Sequence, residues 1–245
     1  MSPLVKRGHE ERRIWLRWVL ANTIGEAAGL GLTALVGAVV IFSGGEGSGV
    51  LTTLGIAVLA VLAGTLVEGT VVGTAQWSVL RRPLPRMRWR TWAVATGTGA
   101  FLAWTLGMIP STVMSLGAGS GGGGAQAEPS ATLVYGLAFL MGLVLGPILG
   151  LAQWLAQRRH VRGAVLWMPA NALAWAFGMV VIFVGIDPAI GGGFGVRSVA
   201  ILVITLACAG AVVGAIYGLA LVRLLRSARS SENHPYAHPW VNSVG

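Results

Sequence analysis

The stretch GTVVGTAQWSVLRR, residues 69–82, recurs as GPILGLAQWLAQRR at 146–159 and, more loosely, as GAVVGAIYGLALVR at 210–223. Each copy ends an apolar run and, in its first two occurrences, breaks into a basic segment. A second pattern alternates with it: Trp18-VLANTIG-Glu26, Trp92-AVATGTG-Ala100 and Trp167-MPANALA-Trp175, with the leading tryptophans about 75 residues apart. Two patterns alternating three times describe one helical pair copied twice. Glycines four apart on a helix give a flat face that lets backbones approach. Gly69 and Gly73, Gly146 and Gly150, and Gly210 and Gly214 are the matching pairs. Either tight packing within one chain or a homodimer interface can use such faces.

Working outward, each pattern lies in a stretch long enough to cross a bilayer, which needs about 20 apolar residues. Six such stretches run over 14–42, 50–80, 91–109, 131–156, 164–186 and 198–225. Composition agrees: 55% of the 245 residues are hydrophobic and 10% charged, against roughly 25% charged in soluble domains. The expected fold is an all-α integral membrane protein. Its six transmembrane helices form three parallel helical-hairpin repeats, approximately 14–80, 91–156 and 164–225. Residues 1–13 precede them and 226–245 form a tail. A pseudo-threefold bundle is the simplest closure, and an open row of three hairpins is the other.

The net charge of +9 is explained by where it falls. All the lysines and arginines except Arg197 lie before or at the very start of the first span, in 81–90, in 158–162 or from Arg223 onward. These segments share one side of an up-and-down chain. Cytoplasmic loops carry excess Lys and Arg, so both termini are expected inside the plasma membrane of a bacterium, with Glu46, Glu128 and Asp187 outward. Trp15, Trp18, Trp77, Trp89, Trp92, Trp154 and Trp167 cluster near the same boundary, where amphipathic indoles favour the headgroups. Basic clusters there attract anionic headgroups by about 1 kcal/mol per residue, making membrane lipids the expected partner. Nucleic-acid binding needs a folded basic domain, and none is present.

Here a resemblance enters. GxxxGxxQWxxLRR followed by a Trp-led span resembles a group of uncharacterised bacterial polytopic membrane proteins built from this hairpin. The likeness covers most of the chain from Ile14 to Leu225. It implies the six-span repeat architecture and carries no activity with it.

Glu26 and Glu68 lie within the first two spans, at similar depth by helical rise. An ionised carboxylate at mid-membrane costs at least ~2.5–3.5 kcal/mol and faces the bundle interior, a cavity or a partner. No Lys or Arg shares their depth. Asn22 is four residues before Glu26, on the same helix face. With Gln76, Gln153 and Asn171 it makes a candidate polar lining. Two readings stand: interhelical hydrogen bonds holding the hairpins together, or a proton- or cation-accessible site open from inside, with the two acids as ligands. The acids occur in the first repeat alone, which breaks the symmetry.

No catalytic constellation is found, so the chain does not read as an enzyme. His9, His160, His234 and His238 fall outside the spans, and neither HExxH nor GxSxG occurs. Cys208 is the sole cysteine, which excludes disulfides and cysteine-based metal sites. The run Gly121–Gly124 lacks the Lys-Ser/Thr of a phosphate loop and reads as a linker. No cofactor or metal is expected. Two functions follow: a small permeation or solute- or ion-binding protein using Glu26 and Glu68, or a non-catalytic accessory subunit of a larger membrane complex.

Overall fold

The computed structural model describes residues 3–43, 49–118, 129–190 and 195–232, and all their regular structure is helical. The helices are α1 (Pro3–Ser43), α2 (Val50–Leu80), α3 (Trp89–Ala118), α4 (Ala131–Gln157), α5 (Trp167–Ile190) and α6 (Val196–Glu232). Five of them, α2 to α6, are long and apolar enough to cross a membrane, with windows of mean hydropathy from 1.3 to 2.7. Long helices are what these residues must form in lipid, where no water satisfies a free backbone N–H or C=O. The faces turned outward are apolar: Leu20, Leu51, Leu66, Val94, Met114 and Ile204 are all more than half exposed. The buried set, by contrast, holds Asn22, Glu26, Glu68, Gln76, Gln153 and Asn171. A chain that is oily outside and polar inside is built for a bilayer, because water would not tolerate so continuous an apolar surface.

The helices outrun the apolar stretches. α1 begins in the basic N-terminal segment, and α3 runs through Pro110 to Ala118, where hydropathy ended the span at 109. α5 likewise contains Asp187 and Pro188, which the sequence placed in a break. Hydropathy marks where lipid ends, whereas backbone hydrogen bonding continues past it. α4 is continuous across Pro147. Glu46, Glu128, the glycines at 121–124, and His234, His238 and Trp240 lie outside the described residues.

Each helix packs on its chain neighbours, and α6 returns to α1, so the six form a closed ring. Every adjacent pair is antiparallel, as the close approaches show. Gly25 meets Val72 and Gly29 meets Glu68 between α1 and α2. Gly69 meets Gly97 and Gly73 meets Ala93 between α2 and α3. Gly146 meets Asn171 and Gly150 meets Met168 between α4 and α5, and Gly210 and Gly214 both meet Asn22 between α6 and α1. The three glycine pairs are therefore taken up inside the monomer. Each packs on the following odd-numbered helix, at residues one and four or five after that helix's leading tryptophan.

The end carrying the basic segments is capped. Leu84, Met87 and Val161 turn inward from the basic loops and are buried against the bundle. The Trp77 indole donates to the Met87 carbonyl at 3.1 Å. Gly163 has φ 70°, a left-handed turn that glycine takes without strain, and it leads into a 3-10 turn at Ala164–Leu166 and then α5. Arg226 of α6 makes a paired contact with Glu11 of α1, at 2.9 and 2.5 Å, across the seam that closes the ring. An exposed pair of this kind adds little stability, because water and salt screen it.

Candidate functional site: a layered ring axis

The interior is built in layers from the basic end outward. The first is aromatic. Trp18, Trp92 and Trp167 have no exposed surface. Trp167 packs edge-to-face on Trp18 (5.8 Å between centroids), Trp92 (6.3 Å) and Tyr217 (5.2 Å). Sequence placed these indoles among the headgroup anchors. Instead, these three are buried in the bundle interior. Trp77 and Trp154 each carry an arginine over the ring, Arg81 at 5.6 Å and Arg158 at 5.0 Å.

The second layer is an amide network. Gln76 Nε2 donates to Asn22 Oδ1 (2.9 Å) and to the Tyr217 hydroxyl (2.8 Å). The Tyr217 hydroxyl also donates to Asn22 Oδ1. Gln153 Nε2 donates to Gln76 Oε1 and Thr96 Oγ1, both at 3.1 Å. Trp92 Nε1 donates to Gln76 Oε1 (3.1 Å), and Trp167 Nε1 to Gln153 Oε1 (2.9 Å). Each glutamine thus accepts from the tryptophan that leads the next helix pair. In the third position Tyr217 replaces glutamine, and Trp18 Nε1 finds no acceptor among the described residues. The four amides expected to line a site are all buried. Asn22, Gln76 and Gln153 form one network, while the Asn171 amide donates to the Trp167 carbonyl of its own helix at 2.9 Å. Sequence reasoning missed Tyr217, Thr96 and the three tryptophans as members. Their signal was present in the repeat, since Tyr217 stands where Gln76 and Gln153 stand. It also missed Gln157, buried with its Nε2 unpartnered among the described residues.

The third layer holds the acids. Glu26 and Glu68 are 2% and 8% exposed, and Glu68 lies against Gly29, one turn beyond Glu26 on the facing helix. Trp104 Nε1 donates to Glu68 Oε2 at 2.7 Å. Glu26 Oε2 has no hydrogen-bond partner among the described residues. Glu68 closes a π-helical turn, Gly64–Glu68, within α2. Such turns insert a residue and occur often at functional sites. The turn brings Gly64 against the Trp104 indole, where a Cβ would overlap the ring. Neither the π turn nor Trp104 was visible in the repeat pattern.

Beyond the acids, away from the basic loops, lies a cavity of about 510 Å³. All six helices contribute to its wall: Thr33, Glu68, Trp104, Leu145, Phe183 and Leu206 come one from each. Among the described residues Glu68 is its sole charged lining residue, and Glu26 is not on the wall. One of the two sequence readings had the acids open toward the side of the basic loops. The cavity that reaches Glu68 lies instead on the far side of the aromatic and amide layers. No group of three metal-binding side chains occurs among the described residues.

A ring of long apolar helices around a buried polar axis defines a multi-pass helical membrane protein. No protein-family model, curated protein or solved structure matches the chain.

Proposed function

We propose that this is a small permeation or solute-binding protein of the bacterial cytoplasmic membrane, with Glu26 and Glu68 as its protonatable pair. The observation that carries this reading is the 510 Å³ cavity bounded by all six helices, with a carboxyl on its wall. Intramembrane acids with no neighbouring cation are functional sites by default. Ligand pockets typically occupy about 300–1,000 Å³. The Trp–Gln–Asn layers form the inner barrier, and the amides hold the helices in register around it.

In this reading the chain makes six spans as three parallel hairpin repeats about a pseudo-threefold axis. Supporting it, Gly73, Gly150 and Gly214 meet Ala93, Met168 and Val19, each the residue after a leading tryptophan. The termini and the loops at 81–88 and 158–163 are cytoplasmic, facing anionic headgroups. A recess of about 410 Å³ beside Trp154, lined by Arg158, Arg159 and Arg162, suits a phosphate. With Cys208 removed, Pro85→Cys or His160→Cys should react with membrane-impermeant maleimide in inverted vesicles and stay unlabelled in intact cells. Labelling from outside would reverse the orientation.

The functional test uses liposomes loaded with a pH-sensitive dye. The native protein should dissipate an imposed pH gradient faster than protein-free liposomes. Glu26→Gln combined with Glu68→Gln should bring the rate down to that background. An undiminished rate in the double variant, or no excess rate in the native protein, would remove the permeation reading.

A further inference from the structure

The cavity and the acid layer together specify a ligand class, an inference that rests on the cavity being a binding site. Its wall is apolar apart from Glu68, Thr33 and the Trp104 indole N–H. Trp104, Trp175 and Phe183 supply flat aromatic faces, and Met108, Met141 and Met179 supply side chains that re-pack around irregular shapes. An inorganic cation stripped of its water finds too few oxygens here, since hard cations need six or more. An anion meets a carboxyl and, among the described residues, no lysine, arginine or histidine on the wall.

The charge balance leads the same way. Among the described residues, the buried polar and charged set includes two carboxyls and no cationic side chain. Trp104 gives Glu68 Oε2 one hydrogen bond, and a neutral indole leaves the charge of an ionised carboxyl uncompensated. A buried charge is stable when it is paired. Aromatic faces within reach of a cation add to that pairing.

We propose that the cavity binds a lipophilic organic cation, an apolar body carrying one positive centre, with the charge set against Glu68 and the body against the methionine and aromatic wall. The bound cation replaces a proton on the acid pair, so the charge of the layer is the same with ligand as without. The titratable group facing Glu68 is Glu26 of α1. Trp104 of α3 faces it without titrating, and Tyr217 of α6 stands one layer inward. Among the described residues, helices α4 and α5 bring no titratable side chain to the cavity wall. Protons and cation therefore compete, and affinity falls as pH is lowered.

Tetraphenylphosphonium and tetraphenylborate test this directly, because they share a shape and differ in the sign of their charge. Equilibrium binding is measured on the full chain in nanodiscs of zwitterionic lipid. Saturable tetraphenylphosphonium binding is expected at pH 8, at least tenfold weaker at pH 5 and at least tenfold weaker in Glu68→Gln, with no saturable tetraphenylborate binding. Ala103→Trp, which fills the cavity, should abolish it. Where Glu68→Gln does not fold, the pH dependence of the native protein decides. Equal or tighter tetraphenylborate binding, or phosphonium binding indifferent to both pH and Glu68→Gln, overturns the cation class while an Ala103→Trp effect keeps the cavity as a site. Binding unchanged by Ala103→Trp, or none for either ion, overturns the ligand proposal and the cavity reading together. The proton-flux test decides the acid pair separately.

Discussion

Trp167→Ala is expected to lower the stability of the folded bundle by about 3–5 kcal/mol. The indole has no exposed surface and packs edge-to-face on Trp18, Trp92 and Tyr217. Lipid is as apolar as the protein interior, so little transfer energy is at stake. The loss comes from contacts and from a cavity that three rigid rings cannot refill. Truncation also leaves Gln153 Oε1 without its indole donor, and an unsatisfied buried acceptor adds about 1–3 kcal/mol. Denaturant titration in mild micelles, followed by tryptophan fluorescence and helical ellipticity, reads the change. Conservative replacements separate the two contributions. Trp167→Phe keeps most of the packing and loses the hydrogen bond, so it should cost about 1–3 kcal/mol. Trp18→Phe should cost less, because the Trp18 Nε1 has no acceptor to lose among the described residues. Equal costs for the two would contradict the unequal hydrogen bonding of the Trp167 and Trp18 indoles.

Gly146→Leu is the second large effect. A Cβ at Gly146 would fall on the Asn171 carbonyl and within 2.9 Å of the Ala172 Cα. Both obstacles are backbone, so no rotamer change relieves them. Overpacking typically costs about 1–3 kcal/mol and more where the neighbour cannot move, which places this variant at about 3 kcal/mol or above. The helices α4 and α5 would have to part, and the cavity wall at Leu145 and Phe183 would part with them. Gly136→Leu is the control, since nothing lies within 4 Å of a Cβ there. Unfolding midpoints in micelles should drop for the first and hold for the second. A similar drop in both would mean that α4 tolerates no bulk anywhere, rather than a close approach at 146.

Much of the architecture was legible because it is written in one dimension. Apolar length, basic loops and glycines four apart depend on composition and spacing alone. Asn22, Glu26, Glu68, Gln76, Gln153 and Asn171 were legible as interior residues, because lipid excludes them from any other place. Helix ends were less so. Pro110 and Pro188 read as stops, yet both lie inside helices, since a hydrogen-bonded turn continues past the point where hydropathy fades.

Partner choice was illegible. The Trp167–Gln153 bond joins α5 to α4, whereas Asn171 bonds within its own helix, and helix rotation alone separates the two outcomes. The Trp104–Glu68 contact depends on a π turn that shifts Glu68 by a fraction of a helical turn, an effect no periodic pattern encodes.

By itself, then, the sequence determined the lipid-facing chemistry, the helices and the residues barred from the outside, because each follows from the free energy of putting a side chain in hydrocarbon. Tertiary structure decided which buried groups touch, which end of the axis is packed and where space remains. Those depend on rotation and close approach between helices distant along the chain, and many rotations satisfy the same hydropathy.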